Sequence, residues 1–162
     1  MPAMNVLVAT FAFTCMIFAG SLQGQPANTP SSQSNNAEGK SLLGEYPVKL
    51  PASTLQTQPL KLGKVTAGQK VTVMAVNVQW SGGGSKEGVF CDWRGHNPDK
   101  KLANGIPWMA LIAAVGKKQH WPKTKSAFSF TVKEDGDLLL YANDDQGGNL
   151  GDADVVVKVT AK

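Results

Sequence analysis

Lys70 to Trp80 reads Lys-Val-Thr-Val-Met-Ala-Val-Asn-Val-Gln-Trp, with Val71, Val73 and Ala75 at alternate positions. A period of two is the signature of a strand with one face buried and one face wet. Shorter apolar runs of the same character follow at Val89 to Trp93, Trp108 to Val115, Ala127 to Val132, Asp137 to Ala142 and Val155 to Thr160, and Leu55 to Leu62 alternates loosely. Turn-forming residues separate them: Ala67-Gly68-Gln69, Gly82-Gly83-Gly84, Asn104-Gly105 and Glu134-Asp135-Gly136-Asp137. The segment that could be helical is Met109 to Val115, and its shortness and β-branched neighbours favour a strand. The pattern predicts an all-β domain, an antiparallel β-sandwich or jelly roll of about eight strands.

The amino-terminal part has a different composition. The first 21 residues carry no charged side chain, and Val6 to Ala19 is almost continuously apolar. That run falls short of the roughly 20 residues a membrane span needs. It matches the core of a secretory signal peptide, with Ala19-Gly20-Ser21 as the small residues near a cleavage point, although no Lys or Arg precedes the core. A lipid anchor at Cys15 would require a better small-residue box than Ala12-Phe13-Thr14. Residues 1–21 are therefore expected to direct export, to a periplasmic, cell-surface or secreted location, and to leave no membrane span in the mature chain. Residues 22–45 include the polar stretch Gln25 to Lys40, which lacks aromatic side chains and is expected to be a flexible linker. Residues 46–162 remain for the sandwich, about 115 residues, an ordinary domain size.

Cleavage after residue 21 leaves Cys91 as the sole cysteine, so no internal disulfide can form and the core must hold the fold. Cys91 itself reads as a small buried residue in a strand. The absence of a Cys/His cluster argues against structural zinc. The net charge of +4 is scattered, which argues against a nucleic-acid partner and allows weak attraction to acidic polymers or cell surfaces.

The chemistry concentrates near the carboxyl terminus. Asp144, Asp145, Asn149, Asp152 and Asp154 crowd together, and no Lys or Arg occurs between Glu134 and Asp154. Calcium takes six to eight oxygens from carboxylates, amides and backbone carbonyls, and glycines such as Gly148 let carbonyls turn inward. The same residues also suit a solvated hairpin loop, where Asp, Asn and Gly serve turn geometry. His96 and His120 lie in polar surroundings, Ser126 and Ser129 have no glycine-framed elbow, and no nucleophile–base set stands out. The chain is accordingly not read as an enzyme; a small hydrolase is the most remote alternative. Trp93, beside Asp92, Arg94 and His96, is the tryptophan whose neighbours suit stacking on a sugar while polar groups take its hydroxyls.

Four segments in order resemble the PA-IL-like family of bacterial galactose-binding lectins. These are Thr66-Ala67-Gly68-Gln69-Lys70-Val71-Thr72-Val73 leading to Trp80-Ser81-Gly82-Gly83-Gly84, then Arg94-Gly95-His96-Asn97-Pro98-Asp99, then Trp108 to Gly116, and lastly Leu139-Leu140-Tyr141-Ala142-Asn143-Asp144 with its loop. The resemblance spans roughly Leu55 to Val159 and implies a calcium-dependent, galactose-binding-domain-like jelly roll that binds galactose-type sugars. Carried over residue by residue, it implies a calcium ligand set of the Gly83 carbonyl, Asp144, the Gly148 carbonyl and Asp152. The family's paired asparagines fall on Gly151 and Asp152; Gly151 has no side-chain oxygen, and Asp145, Asn149 or Asp154 would fill its place. It also implies carbohydrate contacts from His96, Asp99, Trp93, Asp144 and Asp152. Hydrogen bonds to a sugar give little net gain each, roughly 0.5–1.5 kcal/mol, so useful avidity would come from several copies, on a surface or in a homo-oligomer. The alternative is a non-catalytic surface or structural module that keeps the sandwich and has lost the sugar site.

Overall fold

The structure is a computed structural model that describes residues 41–82, 91–95, 102, 104–145 and 147–162. The expected signal peptide, residues 22–40 of the linker, and Gly83, His96 and Asp99 lie outside the described residues.

Eight strands form two four-stranded sheets, and no helix occurs among the described residues. The strands are β1 (Gly44–Pro51), β2 (Leu60–Val65), β3 (Lys70–Ser81), β4 (Leu111–Val115), β5 (Lys118–His120), β6 (Ala127–Thr131), β7 (Gly136–Ala142) and β8 (Leu150–Thr160). One sheet has the order β1-β8-β3-β6 and the other β2-β7-β4-β5, with every pairing antiparallel. The predicted antiparallel β-sandwich is what the chain forms.

Alternation builds the core. Val71, Val73 and Ala75 of β3, and Ala153, Val155, Val157 and Val159 of β8, face inward with Leu111, Ala113 and Val115 of β4 and Leu138 and Leu140 of β7. These side chains from both sheets make one buried cluster closed by the fully buried Trp80. Removing that much apolar surface from water is the dominant stabilising term in a domain with no disulfide.

Several boundaries differ from the sequence pattern, each for a local reason. β1 was not expected, because Gly44, Pro47 and Pro51 read as breakers; as an edge strand it tolerates proline, which need not donate on its open side. The chain ahead of Tyr46 joins the folded body too. Ser41 bridges Lys64, Leu42 is buried, and the buried Gln69 ties both down. Its Nε2 donates to the Leu42 carbonyl at 2.9 Å while its Oε1 accepts from the Thr66 N–H at 2.8 Å and the Ser41 hydroxyl at 3.1 Å. The loosely alternating Leu55 to Leu62 becomes turns followed by β2, which carries a bulge between Lys61 and Gly63. The run from Trp108 starts as a turn, since Met109 adopts φ 63° and its N–H donates to the Asn143 carbonyl at 2.7 Å. β4 then has no polar face at all. Its alternate residues Ile112 and Ala114 meet Ile106, Ala110 and Tyr141 in a second buried cluster on the outside of the sheet. β5, also unexpected, returns from β4 through Gly116 at φ 56°. β8 begins at Leu150 rather than Val155, so Asp152 and Asp154 lie on a strand.

Candidate binding site at the β7–β8 end

The strand registers gather several loops at one end of the sandwich. Trp80 and Ser81 at the end of β3 pair with Gly151 and Leu150 at the start of β8, and Leu111 at the start of β4 pairs with Ala142 at the end of β7. Residues 91–95, 104–110, 143–145 and 147–149 therefore meet there.

Asn143 clasps this end. Its Nδ2 donates to the carbonyls of Ile106 at 3.0 Å and Pro107 at 2.9 Å, and its Oδ1 accepts from Asn104 Nδ2 at 2.8 Å. The Asn104 Oδ1 accepts from the Ile106 N–H at 3.0 Å, so the 104–110 turn is pinned at both ends. The next residue, Asp144, is 5% exposed, and Asn149 across the loop is 7% exposed. Asp144 Oδ1 accepts from the Asp145 N–H at 2.7 Å, and Asn149 Nδ2 donates to the Ala52 carbonyl at 3.1 Å. Asn143, Asp144 and Asn149 are three of the four buried polar side chains among the described residues.

The adjoining segment follows from β3. Cys91 bridges Trp80: its N–H and its thiol both donate to the Trp80 carbonyl, at 2.8 Å and 3.2 Å. Burial pushes the thiol up to about 12, and the nearby charges of Asp92 and Asp144 add to the effect. Cys91 is thus the inert buried residue its sequence context implies. Trp93 is half-buried against the core and its carbonyl accepts from the Leu111 N–H at 3.0 Å. Arg94 lies over the Trp93 ring, 5.8 Å from its centroid, and its Nε donates to both Asp92 carboxylate oxygens at 3.0 and 3.2 Å. Burial opposes ionisation of Asp92, but the Arg94 hydrogen bonds and charge outweigh it and hold the carboxyl below its ordinary range. Among the described residues, the indole nitrogens of Trp80 and Trp93 are buried without a hydrogen-bond acceptor.

The sequence-predicted residues divide into groups. Asp144, Asp145, Gly148 and Asn149 share the loop, with Trp93 on the segment beside it. Asp152 and Asp154 stand on the outer face of β8, alternating with the buried Ala153 and Val155. Asp152 makes an ion pair with Lys49 on β1 at 3.2 Å, and Asp154 lies opposite Lys49 in the register. No group of three His, Cys, Asp or Glu side chains fit to hold a metal occurs among the described residues. A cation here would rely on Asp144 with amide and backbone oxygens, a donor set of hard oxygens that suits calcium. Gly148, at φ 87°, takes a backbone conformation that favours glycine.

One residue of this end was not singled out from sequence. Asn143 could not be, because its partners Ile106 and Pro107 lie far back in the chain. Gly82 and Gly151 are required by close approach. A Cβ on Gly82 would fall 2.1 Å from the Trp108 ring, and one on Gly151 would fall 1.8 Å from the Gln79 carbonyl oxygen.

No protein-family model matches the chain, and no curated protein matches it. A solved structure described as the EclA N-terminal domain, a PllA-like lectin, is similar at 22% identity over 70% of this chain and 95% of that one, with a TM-score of 0.49.

Proposed function

We propose that the domain is a non-enzymatic carbohydrate-binding module whose ligand sits at the β7–β8 end, with calcium as its cofactor. The observation that carries this reading is Asp144, a buried carboxylate that shares its loop with the buried Asn143 and Asn149 where the end of β7 meets the start of β4. A hard cation held by Asp144, Asn149 and the Gly148 carbonyl would meet the carboxylate, amide and backbone oxygens that calcium takes. When bound, such an ion supplies a positive site for sugar hydroxyls. Arg94, exposed and fixed over Trp93 by Asp92, adds hydrogen-bond donors at the same end. Galactose-type sugars, with His96 and Asp99 completing the contacts, are the specific form of this proposal.

Among the described residues of this end, Cys91 keeps its proton and Asp92 is committed to Arg94, which supports the non-enzymatic reading. The Lys49–Asp152 ion pair and the glycine at 151 favour one second reading, a structural module without sugar binding.

Thermal melting distinguishes the two. Calcium at about 100 times its dissociation constant stabilises a native-state site by about 2.7 kcal/mol. For a domain of this size that corresponds to a rise of roughly 10 °C. Asp144→Asn should abolish most of that rise, and a glycan array with and without chelator should show calcium-dependent binding. Identical melting curves in calcium and chelator would favour the structural module. Export is part of the same proposal: mass spectrometry of the exported protein should show a new amino terminus near Ser21, and an intact Met1 retained in the membrane would refute it.

A further inference from the structure

The outer face of the β1-β8-β3-β6 sheet carries a pattern that complements itself. Following the register across all four strands, Pro47 lies opposite Val156, Val156 opposite Met74, and Met74 opposite Ala127. Their neighbours Val48, Val155, Val157, Val73 and Ala75 pack in the core, so this row stands on the outside. Met74 is 42% exposed, and Val76, at the register shift beside it, is 64% exposed. An apolar row across a whole sheet face, in place of the usual polar one, marks a surface that another body covers.

The rows on either side identify the body. On one side run Glu45, Lys158, Thr72 and Ser129, and on the other Lys49, Asp154 and Asn77. Along β1 and β8 the first row is acid then base, and the second is base then acid. A two-fold axis laid along the apolar row, between two stacked copies, keeps each strand over its own counterpart and exchanges the flanking rows. Glu45 then meets Lys49 of the second copy, Lys158 meets Asp154 of the second copy, and the apolar row meets itself. An axis along the strands instead sets Glu45 against Ser129 and Lys158 against Thr72, so no opposite charges pair. We propose that two copies of the chain stack back to back on this face through the first of these axes, an isologous interface.

The dimensions suit a modest association. Four strands about 4.8 Å apart, from about 17 Å long at β6 to about 40 Å at β3, offer roughly 600 Å². A standard interface uses about 800 Å² per partner, which places the dimer toward the micromolar end of the range. The axis reverses strand direction between copies, so the two β7–β8 ends point opposite ways. If the carbohydrate reading holds, such a dimer bridges two sugar-bearing surfaces; the dimer itself does not depend on that reading.

Sedimentation equilibrium of the full chain, from about 1 to 100 μM, tests it without any sugar. A concentration-dependent dimer is expected. Lys158→Glu and Asp154→Lys should each weaken it about tenfold, because every reversal acts twice across the two-fold axis. The double variant should recover dimerisation, since position 158 of one copy faces position 154 of the other. Both positions are exposed, and melting curves confirm that each variant is folded. A chain monomeric throughout, a dimer indifferent to the single changes, or a double variant no tighter than the singles would overturn the proposal.

Discussion

Asn143→Ala should destabilise the domain by about 2–4 kcal/mol, because it removes three hydrogen bonds of one buried side chain. The asparagine is 2% exposed and uses both amide hydrogens and its oxygen on the 104–110 turn. Each hydrogen bond contributes about 0.5–1.5 kcal/mol net, and the three are lost together. The Ile106 and Pro107 carbonyls keep their backbone donors, the Leu102 and Ala110 N–H groups, so the loss is that of the side-chain bonds themselves. The backbone exchange between Asn143 and the turn survives, Met109 N–H to Asn143 and Asn143 N–H to Ala110, so the fold should persist with a loosened end. Urea titration should show the lowered midpoint, and hydrogen exchange should show the increase concentrated at 104–110. Asn104→Ala removes one bond to Asn143 and the bond from the Ile106 N–H, and should cost about 1–2 kcal/mol. Should Asn143→Ala cost no more than that control, the turn is held by its packing on Ile112 and Tyr141 rather than by the clasp.

The contrast between β3 and β4 shows what the chain makes legible. β3 alternates because one face meets the core and the other meets water, so its extent can be read directly. β4 is buried on both faces, and an unbroken apolar run has no period to mark where the turn at Met109 ends and the strand begins. β8 fails differently. Its inward set, Ala153, Val155, Val157 and Val159, does alternate with Asp152, Asp154, Val156 and Lys158, but the acids resemble the preceding loop in composition and obscure the start. The candidate site divides along the same line. Asp144, Asp145, Gly148 and Asn149 are recoverable because they share one loop. Asp152 and Asp154 are close to them in sequence, yet a strand pairing with β1 directs them to Lys49. Proximity along a chain carries no information about facing until the register is known.

Gly151→Asn is the substitution that would complete the paired asparagines of the galactose-binding lectins, and it should unfold the domain rather than add a calcium ligand. Gly151 has φ 89°, and a Cβ there would lie 1.8 Å from the Gln79 carbonyl oxygen and 3.1 Å from the Trp80 Cα. Those atoms belong to the backbone of β3, which cannot yield as a flexible side chain would. Moving them breaks the Trp80–Gly151 register and lifts the fully buried Trp80 from the core. It also pulls the Gly151 carbonyl from the Ala52 N–H, 3.0 Å away. A loss of about 4 kcal/mol or more follows, in the range where a clash against fixed backbone belongs. Gly151→Ala meets the same obstacle at Cβ and should lose nearly as much, which separates this cause from anything the amide contributes. Circular dichroism with urea titration of both variants measures the losses, and calcium titration measures the ligand set. A folded Gly151→Asn protein that binds calcium more tightly than the parent would mean that β3 and β8 part readily at this end. In that event the ion's ligands follow the asparagine pair of the family. If both variants melt early and alike, position 151 is glycine because two backbones meet there, and any ion depends on Asp144 and its own loop.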